Sequence, residues 1–222
     1  MIKSVLIANR GEIACRIIKT ARKLGIRTVV VYSDVDAHSK AVQNADEAYR
    51  IGPAPALESY LNVPLILGVA RQAKVEAIHP GYGFLSESAD FATACSEAGF
   101  VFIGPSANVL KEMGSKKRAK AIAQKLQIPV IAECEGSLEA KSVGFPLVIK
   151  AVMGGGGKGM RVVTSAVSFD KALETCRREA KAAFGSGEVF LETYVPDARH
   201  IEVQIFGDGH GNLVHLFERD CT

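Results

Sequence analysis

The stretch that most constrains this chain runs from Val148 to Val163, Val-Ile-Lys-Ala-Val-Met-Gly-Gly-Gly-Gly-Lys-Gly-Met-Arg-Val-Val. Two short runs rich in β-branched residues flank four consecutive glycines, a lysine and a fifth glycine. That pattern reads as strand, tight loop, strand. Consecutive glycines reach positive φ and let the backbone approach another body closely. Several N–H groups can then converge on one point, which suits an anion with many acceptor oxygens. Lys150 on the first strand and Lys158 in the loop border that point. Polyphosphate is the guest such a stretch would take. The plain alternative is a glycine hairpin without a ligand. Each glycine costs roughly 0.5–1 kcal/mol relative to alanine inside regular structure, which weighs against four in a row serving no purpose.

Two named motifs fail on this stretch. Gly154, Gly156 and Gly159 satisfy G-x-G-x-x-G, but a dinucleotide fingerprint needs a following helix whose N-terminus holds the pyrophosphate. Met160-Arg-Val-Val-Thr follows instead, a β-like run. A Walker A loop needs Ser or Thr after the lysine, and Gly159 stands there, while position 152 is Val. What remains is a glycine flap between two strands with a lysine on one of them. It is mechanically like the loop that covers ATP in protein kinases.

Composition excludes more than it assigns. With 222 residues, 48% hydrophobic and 23% charged, the chain can build one large domain or two small ones. A net charge of +3 is too small to argue for nucleic acid or a membrane surface. No apolar run approaches the ~18 residues of a membrane span. Met1-Ile-Lys-Ser-Val-Leu-Ile-Ala passes directly into a strand, so no signal or transit peptide is expected. The five cysteines, 15, 95, 134, 176 and 221, are scattered without a C-x-x-C pair. A reducing compartment without disulfides or structural zinc fits that usage.

Val5-Leu-Ile-Ala is a buried-strand run, and Gly11 to Leu24 carries apolar residues at 13, 14, 17, 18, 21 and 24, a helical spacing. Gly25 ends it and Thr28-Val-Val-Val-Tyr starts a second strand, giving a β-α-β unit and a parallel sheet. A helix over Ser39 to Ala48, another over Val63 to Lys74 and a strand at Ala77-Ile-His follow. Beyond the loop His79 to Glu87 come a helix over Phe91 to Ala98 and a strand at Val101-Phe-Ile. Residues 1–112 therefore read as a doubly wound α/β domain. Ser115 is a candidate N-cap for a helix from Lys116 to Leu126. From residue 113 to 222 the pattern turns to hairpins with one helix, Phe169 to Phe184. Its strands are Pro146 to Val152, Met160 to Thr164, Val189 to Tyr194, His200 to Phe206 and Leu213 to Phe217. On the fourth, Ile201, Val203 and Ile205 alternate with His200, Glu202 and Gln204. The first set is expected in the core. The second faces either solvent or, beside a phosphate flap, a cleft.

Four stretches carry a resemblance. Ile7-Ala-Asn-Arg-Gly-Glu-Ile-Ala-Cys-Arg, His79-Pro-Gly-Tyr-Gly-Phe-Leu-Ser-Glu, Gly154-Gly-Gly-Gly-Lys-Gly-Met-Arg and Arg199-His-Ile-Glu-Val-Gln resemble the biotin carboxylase family. These are components of biotin-dependent acyl-CoA and pyruvate carboxylases. The resemblance runs along the whole chain. Ala45-Asp-Glu-Ala-Tyr, Met113-Gly-Ser-Lys and Arg178-Glu-Ala-Lys-Ala-Ala-Phe-Gly are most similar to methylcrotonyl-CoA carboxylase α subunits. Propionyl-CoA carboxylase α subunits and bacterial acetyl-CoA carboxylase components are close competitors. The fold so implied is a Rossmann-like pre-ATP-grasp domain followed by an incomplete α+β ATP-grasp domain, with a lid subdomain at about 122–194.

The resemblance implies ATP-dependent carboxylation of carrier-bound biotin with bicarbonate, through a carboxyphosphate intermediate. It assigns Lys116, Lys150, Gly156, Gly157 and His200 to ATP, and Glu192, Thr193, Tyr194 and Val195 to the adenine hinge, read largely through backbone groups. Tyr82, Gly83, Glu87 and Glu202 fall on the biotin and bicarbonate side. Magnesium, with manganese possible, accompanies ATP. The carboxylates that hold it and the catalytic residues are expected in a segment matching the family beyond residue 222, so residues 1–222 alone are expected to be inactive. A biotin carboxyl carrier domain and a carboxyltransferase subunit are the implied partners, with self-association of the full-length protein and no nucleic acid or membrane. The compartment would be the cytoplasm of a bacterium or the mitochondrial matrix of a eukaryote. Family members also have a longer helical segment where this chain has only Glu133 to Val143. A truncated ATP-binding fragment and another ATP-grasp ligase, such as a carbamoyl-phosphate synthetase, are the competing readings.

Overall fold

The structure is a computed structural model describing residues 2–131, 133–134, 144–152 and 160–222, with the backbone alone at 116, 117, 133, 134, 183 and 184. The glycine run with Gly156, Gly157 and Lys158, and the shortened segment at 135–143, lie outside the described residues. The chain falls into two compact units, Met1–Ile128 and Pro129–Thr222.

The first unit is built on a five-stranded parallel sheet. Its strands are β1 (Ser4–Ile7), β2 (Arg27–Tyr32), β3 (Glu47–Arg50), β4 (Ala77–His79) and β5 (Val101–Phe102), in the order β3-β2-β1-β4-β5. Central strands covered on both faces have no polar side to show, which is why Val5-Leu-Ile reads as one apolar run. Successive side chains go to opposite faces. Leu6, Val29, Val31 and Ile78 pack with Ile66, Ala70 and Phe91 of the helices α3 (Val63–Gln72) and α4 (Ala89–Glu97). Val5, Ile7, Val30 and Ala77 pack with Ala14, Ile18 and Ala21 of α1 (Gly11–Lys23) and Ala41 of α2 (Lys40–Asn44). Asn62 and Ser88 cap α3 and α4 by accepting the N–H of Leu65 at 3.2 Å and of Phe91 at 3.2 Å. Two further helices, α5 (Ala107–Met113) and α6 (Lys116–Lys125), complete the unit.

Two elements differ from expectation. The helix predicted over Ser39 to Ala48 stops at Asn44, and the chain enters β3. The Asp46 carboxylate accepts from both the N–H and the hydroxyl of Thr28, each at 2.7 Å, and this pins the segment alongside β2. A long-range bond of that kind has no signature in local periodicity. Helix α5 is the other, seven residues long with none buried, too short to give a periodic signal. Ser106 starts it by accepting from Val109 N at 3.3 Å.

The second unit holds a four-stranded sheet, β6 (Glu133–Cys134), β7 (Leu147–Ala151), β8 (Met160–Val163) and β9 (Val189–Thr193), in the order β6-β9-β7-β8. All its pairings are antiparallel. One face is covered by α7 (Phe169–Phe184), whose Phe169, Leu173 and Cys176 pack on Leu147, Ile149, Val163 and Leu191. The helix ends at Gly185 in the left-handed region, the ordinary C-terminal stop. Among the described residues, strands β10 (Ile201–Gly207) and β11 (Leu213–Asp220) pair only with each other. The core placement expected for Ile201, Val203 and Ile205 is therefore not met: they are 44%, 54% and 64% exposed. Alternation predicts a sided strand, but burial needs a second layer, and a lone two-stranded ribbon has none.

Asp36, buried near the C-terminal end of β2, gathers the Arg10 guanidinium (2.5 and 2.7 Å), the Tyr60 hydroxyl (2.7 Å) and the Ser33 hydroxyl (3.1 Å). The Arg10 hydrogen bonds, followed by those of Tyr60 and Ser33, hold its carboxyl below the ordinary aspartate range against the opposing effect of burial. A depressed folded pKa contributes stability that is complete above the unfolded value and is lost as pH falls through the folded one. Asp36→Asn should thus destabilise the first unit by about 2–3 kcal/mol at pH 7, a figure discounted for the half-exposed Arg10. The gap between variant and parent should shrink below about pH 4. Urea melts at pH 7 and pH 3 check both expectations.

Candidate functional site

In a doubly wound sheet the crevice for ligands opens where the strand order reverses, beyond the C-terminal ends of the strands. Here the chain winds outward from β1 through β2 to β3, then returns to place β4 and β5 on the other side. The reversal lies between β1 and β4, which pair in parallel with Ile7 opposite His79. The segments leaving that point are Ala8-Asn9-Arg10 and Pro80-Gly81-Tyr82.

Tyr82, Gly83 and Glu87, expected on the biotin side, all stand on the second of these loops and are exposed. The loop is irregular but closely tied. Gly81, Gly83 and Phe84 have φ of 68°, 70° and 43°, in the left-handed region. Asn9 donates to the carbonyls of Pro80 (2.8 Å) and Tyr82 (2.9 Å). Gly81 N donates to Nδ1 of His79 at 3.0 Å, so that nitrogen is the unprotonated one. Burial pushes the His79 pKa down, which keeps the ring neutral and this bond intact. The Tyr82 hydroxyl donates to Glu12, which raises the phenol above the usual tyrosine value. Phe84 stacks on Tyr60 with centroids 5.1 Å apart and planes 12° from parallel.

The second unit contributes a charged pair on the sheet face opposite α7. Leu147 and Ile149 point into the α7 core, so Val148 and Lys150, which alternate with them, point the other way. In the register Val148 faces Glu192 and Lys150 faces Phe190, which sets Lys150 and Glu192 on a diagonal within side-chain reach. Lys150 Nζ meets Glu192 Oε2 at 2.5 Å. The glutamate side chain is 8% exposed and the lysine 29%. Glu192, expected to act through its backbone, thus also has a buried carboxylate that fixes the direction of Lys150. Thr193 closes β9, and Tyr194 N donates to Pro146 O at 3.0 Å, after which Val195 is exposed. Lys116 opens α6 behind its cap Ser115, which accepts from Arg118 N at 3.4 Å.

His200 and Glu202 come together on one face of the β10–β11 ribbon, and Cys221 joins them across it through Cys221 N to His200 O at 2.7 Å. Arg219 donates to Glu202 at 2.7 Å and holds its carboxyl below the usual glutamate range. Magnesium takes oxygen ligands. This cluster offers an imidazole, a thiol and a carboxylate already bonded to a guanidinium, so it does not fit that ion. It is the single such group of potential metal ligands among the described residues.

Comparison with known proteins joins these pieces. The family profile described as biotin carboxylase, N-terminal domain, matches residues 1–110. That described as carbamoyl-phosphate synthase L chain, ATP binding domain, matches residues 106–222. The chain belongs to the biotin carboxylase family. This is an ATP-grasp ligase family, and its two domains tile the sequence from end to end. The chain is 49% identical over 229 residues to the mitochondrial methylcrotonoyl-CoA carboxylase subunit alpha of Rattus norvegicus, covering 100% of this chain and 32% of that protein. It is 52% identical over 230 residues to the biotin carboxylase of Halalkalibacterium halodurans, covering 100% and 51%. Among solved structures it is similar to the biotin carboxylase domain dimer of the Hydrogenobacter thermophilus 2-oxoglutarate carboxylase, in complex with MgADP, ADP and bicarbonate. The TM-score there is 0.90 at 43% identity, covering 100% of this chain and 50% of that one. The chain therefore spans about a third to a half of the length of these relatives.

Sequence reasoning did not reach Asn9, Glu12 and Tyr60, which hold the Tyr82 loop, or Arg219 and Cys221 on the ribbon. The one local signal was the Asn-Arg-Gly turn closing the first strand, a place where Asn commonly bonds backbone. Their partners lie 70 or more residues away for Asn9 and Glu12, beyond any local pattern.

The Lys150–Glu192 pair should be energetically coupled. Removing one member of a buried pair costs ~3–5 kcal/mol, and less where one partner touches solvent. Lys150→Met should therefore destabilise the second unit by about 2–3 kcal/mol, and adding Glu192→Leu should cost less than the sum of the single changes. A double-mutant cycle by chemical denaturation measures it. Strict additivity would show that the two side chains act independently.

Proposed function

We propose that this chain supplies the nucleotide-binding part of a biotin carboxylase, which uses ATP and bicarbonate to carboxylate biotin carried on another domain or subunit. The observation that carries the reading is the likeness over the full length of the chain, residues 1 to 222, at 49–52% identity to the two relatives above. It includes the glycine run, the Tyr82 loop and the β10 strand. Relatives of this similarity are biotin-dependent carboxylases, which favours that chemistry over the carbamoyl-phosphate synthase named by the second profile.

In this reading the ATP-binding domain begins at about residue 113. Lys116 and Lys150 meet the phosphates, Gly156 and Gly157 close over them, Glu192 to Val195 read adenine, and His200 lies near the nucleotide. The fit for a polyphosphate rests on Lys150. A lysine on a strand, aimed by a buried carboxylate, is a preorganised cation of the kind that stabilises phosphate charge. ATP supplies the phosphoryl group that activates bicarbonate. Tyr82, Gly83, Glu87 and Glu202 serve the biotin and bicarbonate side. The partners are a biotin carboxyl carrier domain and a carboxyltransferase subunit, with methylcrotonyl-CoA as the favoured acyl acceptor. The whole protein self-associates, and it works in the bacterial cytoplasm or the mitochondrial matrix.

Calorimetry with MgATP tests the reading. A charge-assisted phosphate contact is worth ~1.5–3 kcal/mol. Lys150→Ala should therefore weaken binding by roughly tenfold to 150-fold. Lys158→Ala, which removes a loop-borne and less constrained ammonium, should weaken it less. Equal affinity of Lys150→Ala and the parent protein, or no nucleotide binding by the parent, would overturn it.

A further inference from the structure

Asn9 lies at the topological reversal, at the end of β1, and is completely buried. Its side chain spends every polar group on the two segments that leave that point. Nδ2 donates to Pro80 O at 2.8 Å and to Tyr82 O at 2.9 Å, while Oδ1 accepts from Arg10 N at 2.9 Å. Only a side-chain amide carries two donors and an acceptor in this compact form. Aspartate has the shape without the donors, and leucine has neither.

The loop is shaped around that amide. A Cβ on Gly81 would sit 2.7 Å from Asn9 Nδ2 and 2.7 Å from Ile13 Cγ2, so the backbone there passes closer than any other residue permits. With three residues in the left-handed region, the loop lacks a repeating backbone ladder. Its shape must come from outside. Glu12 on the first turn of α1 takes the Tyr82 hydroxyl, and Tyr60 takes the Phe84 ring. Tyr60 is itself fixed by Asp36, by Ser33 N at 3.0 Å and by the Arg10 guanidinium 5.9 Å over its ring. Among the described residues, Asn9 is the one side chain that hydrogen-bonds the loop backbone on both sides of Gly81.

We propose that Asn9 is a positioning residue: its amide sets the place of Tyr82 and Gly83, and through them the geometry presented to biotin and bicarbonate. The functional half of this inference rests on the biotin-side reading of the Tyr82 loop given above. The mechanical half does not.

Two substitutions on the 222-residue chain test it, Asn9→Asp, which keeps the shape and removes both donors, and Asn9→Ala. Amide hydrogen exchange at 81–85 should quicken at least roughly tenfold in both, since two hydrogen bonds are lost, while exchange at Val29 to Val31 of β2 stays as in the parent. The Tyr82 phenol, followed in protein labelled at tyrosine Cζ and assigned by Tyr82→Phe, should titrate closer to the ordinary value of about 10 once it leaves Glu12. A residue that merely stabilised the fold would not move that titration on its own. If either variant also frees β2, Gly81→Ala is the substitute. It pushes a methyl at the same amide from the loop side and should give the same two signatures.

In the whole protein, which carries the rest of the site, free biotin added with bicarbonate and MgADP should shift the Gly83 amide in the parent and not in the Asn9 variants. Parent-like loop exchange and Tyr82 titration in Asn9→Asp would overturn the inference. A parent protein whose Gly83 and Tyr82 ignore biotin would instead overturn the biotin-side reading, with loop exchange still reporting the hold of Asn9.

Discussion

The backbone pairing of β1 with β2 on one side and β4 on the other is the interaction on which the rest of the first unit depends. Strand β1 has four residues, all buried, and both its edges are occupied. Its side chains feed two separate cores, one through Leu6 and one through Val5 and Ile7. A slip of one residue would exchange those sets, so the register is strongly specified. Once it is set, Asn9 and Pro80 leave the sheet side by side, and the bonds between them become possible.

A loop with glycine at two positions and left-handed backbone at three is held by an amide, a carboxylate and a ring from elements far away in sequence. Preorganisation of this kind moves the entropic cost of ordering the loop into folding, so that it is not charged again when a ligand arrives. The buried Asp36 serves the same end one layer further back. It gathers Arg10, Ser33 and Tyr60, and Tyr60 carries the ring on which Phe84 lies.

The second unit uses a different economy of faces. Its sheet has α7 on one side, and the opposite side carries the Lys150–Glu192 pair among partly exposed strands. A carboxylate as buried as that of Glu192 needs a partner, and the lysine supplies one while keeping part of itself open to solvent. The β10–β11 ribbon, with its exposed apolar residues and its His200–Glu202–Cys221 group, has no covering layer in the described residues and keeps both faces open.

What the sequence determined by itself was local and periodic. The β-branched runs, the spacing of α1, the full extent of α7 from Phe169 to Phe184, and the serine before α6 all act within a few residues. The glycine run reads as a phosphate-type loop because consecutive glycines reach positive φ, and it lies outside the described residues. The long motifs marked the family, since four such stretches do not coincide by chance. Tertiary structure decided what depends on distant partners. It ended α2 at Asn44 because Asp46 bonds Thr28, paired Lys150 with Glu192 across a diagonal, and left Ile201, Val203 and Ile205 exposed because the ribbon has no second layer. It also brought Asn9 to Tyr82 across 73 residues. Alternation and propensity report which way a side chain points; only the sheet order reports what it meets there.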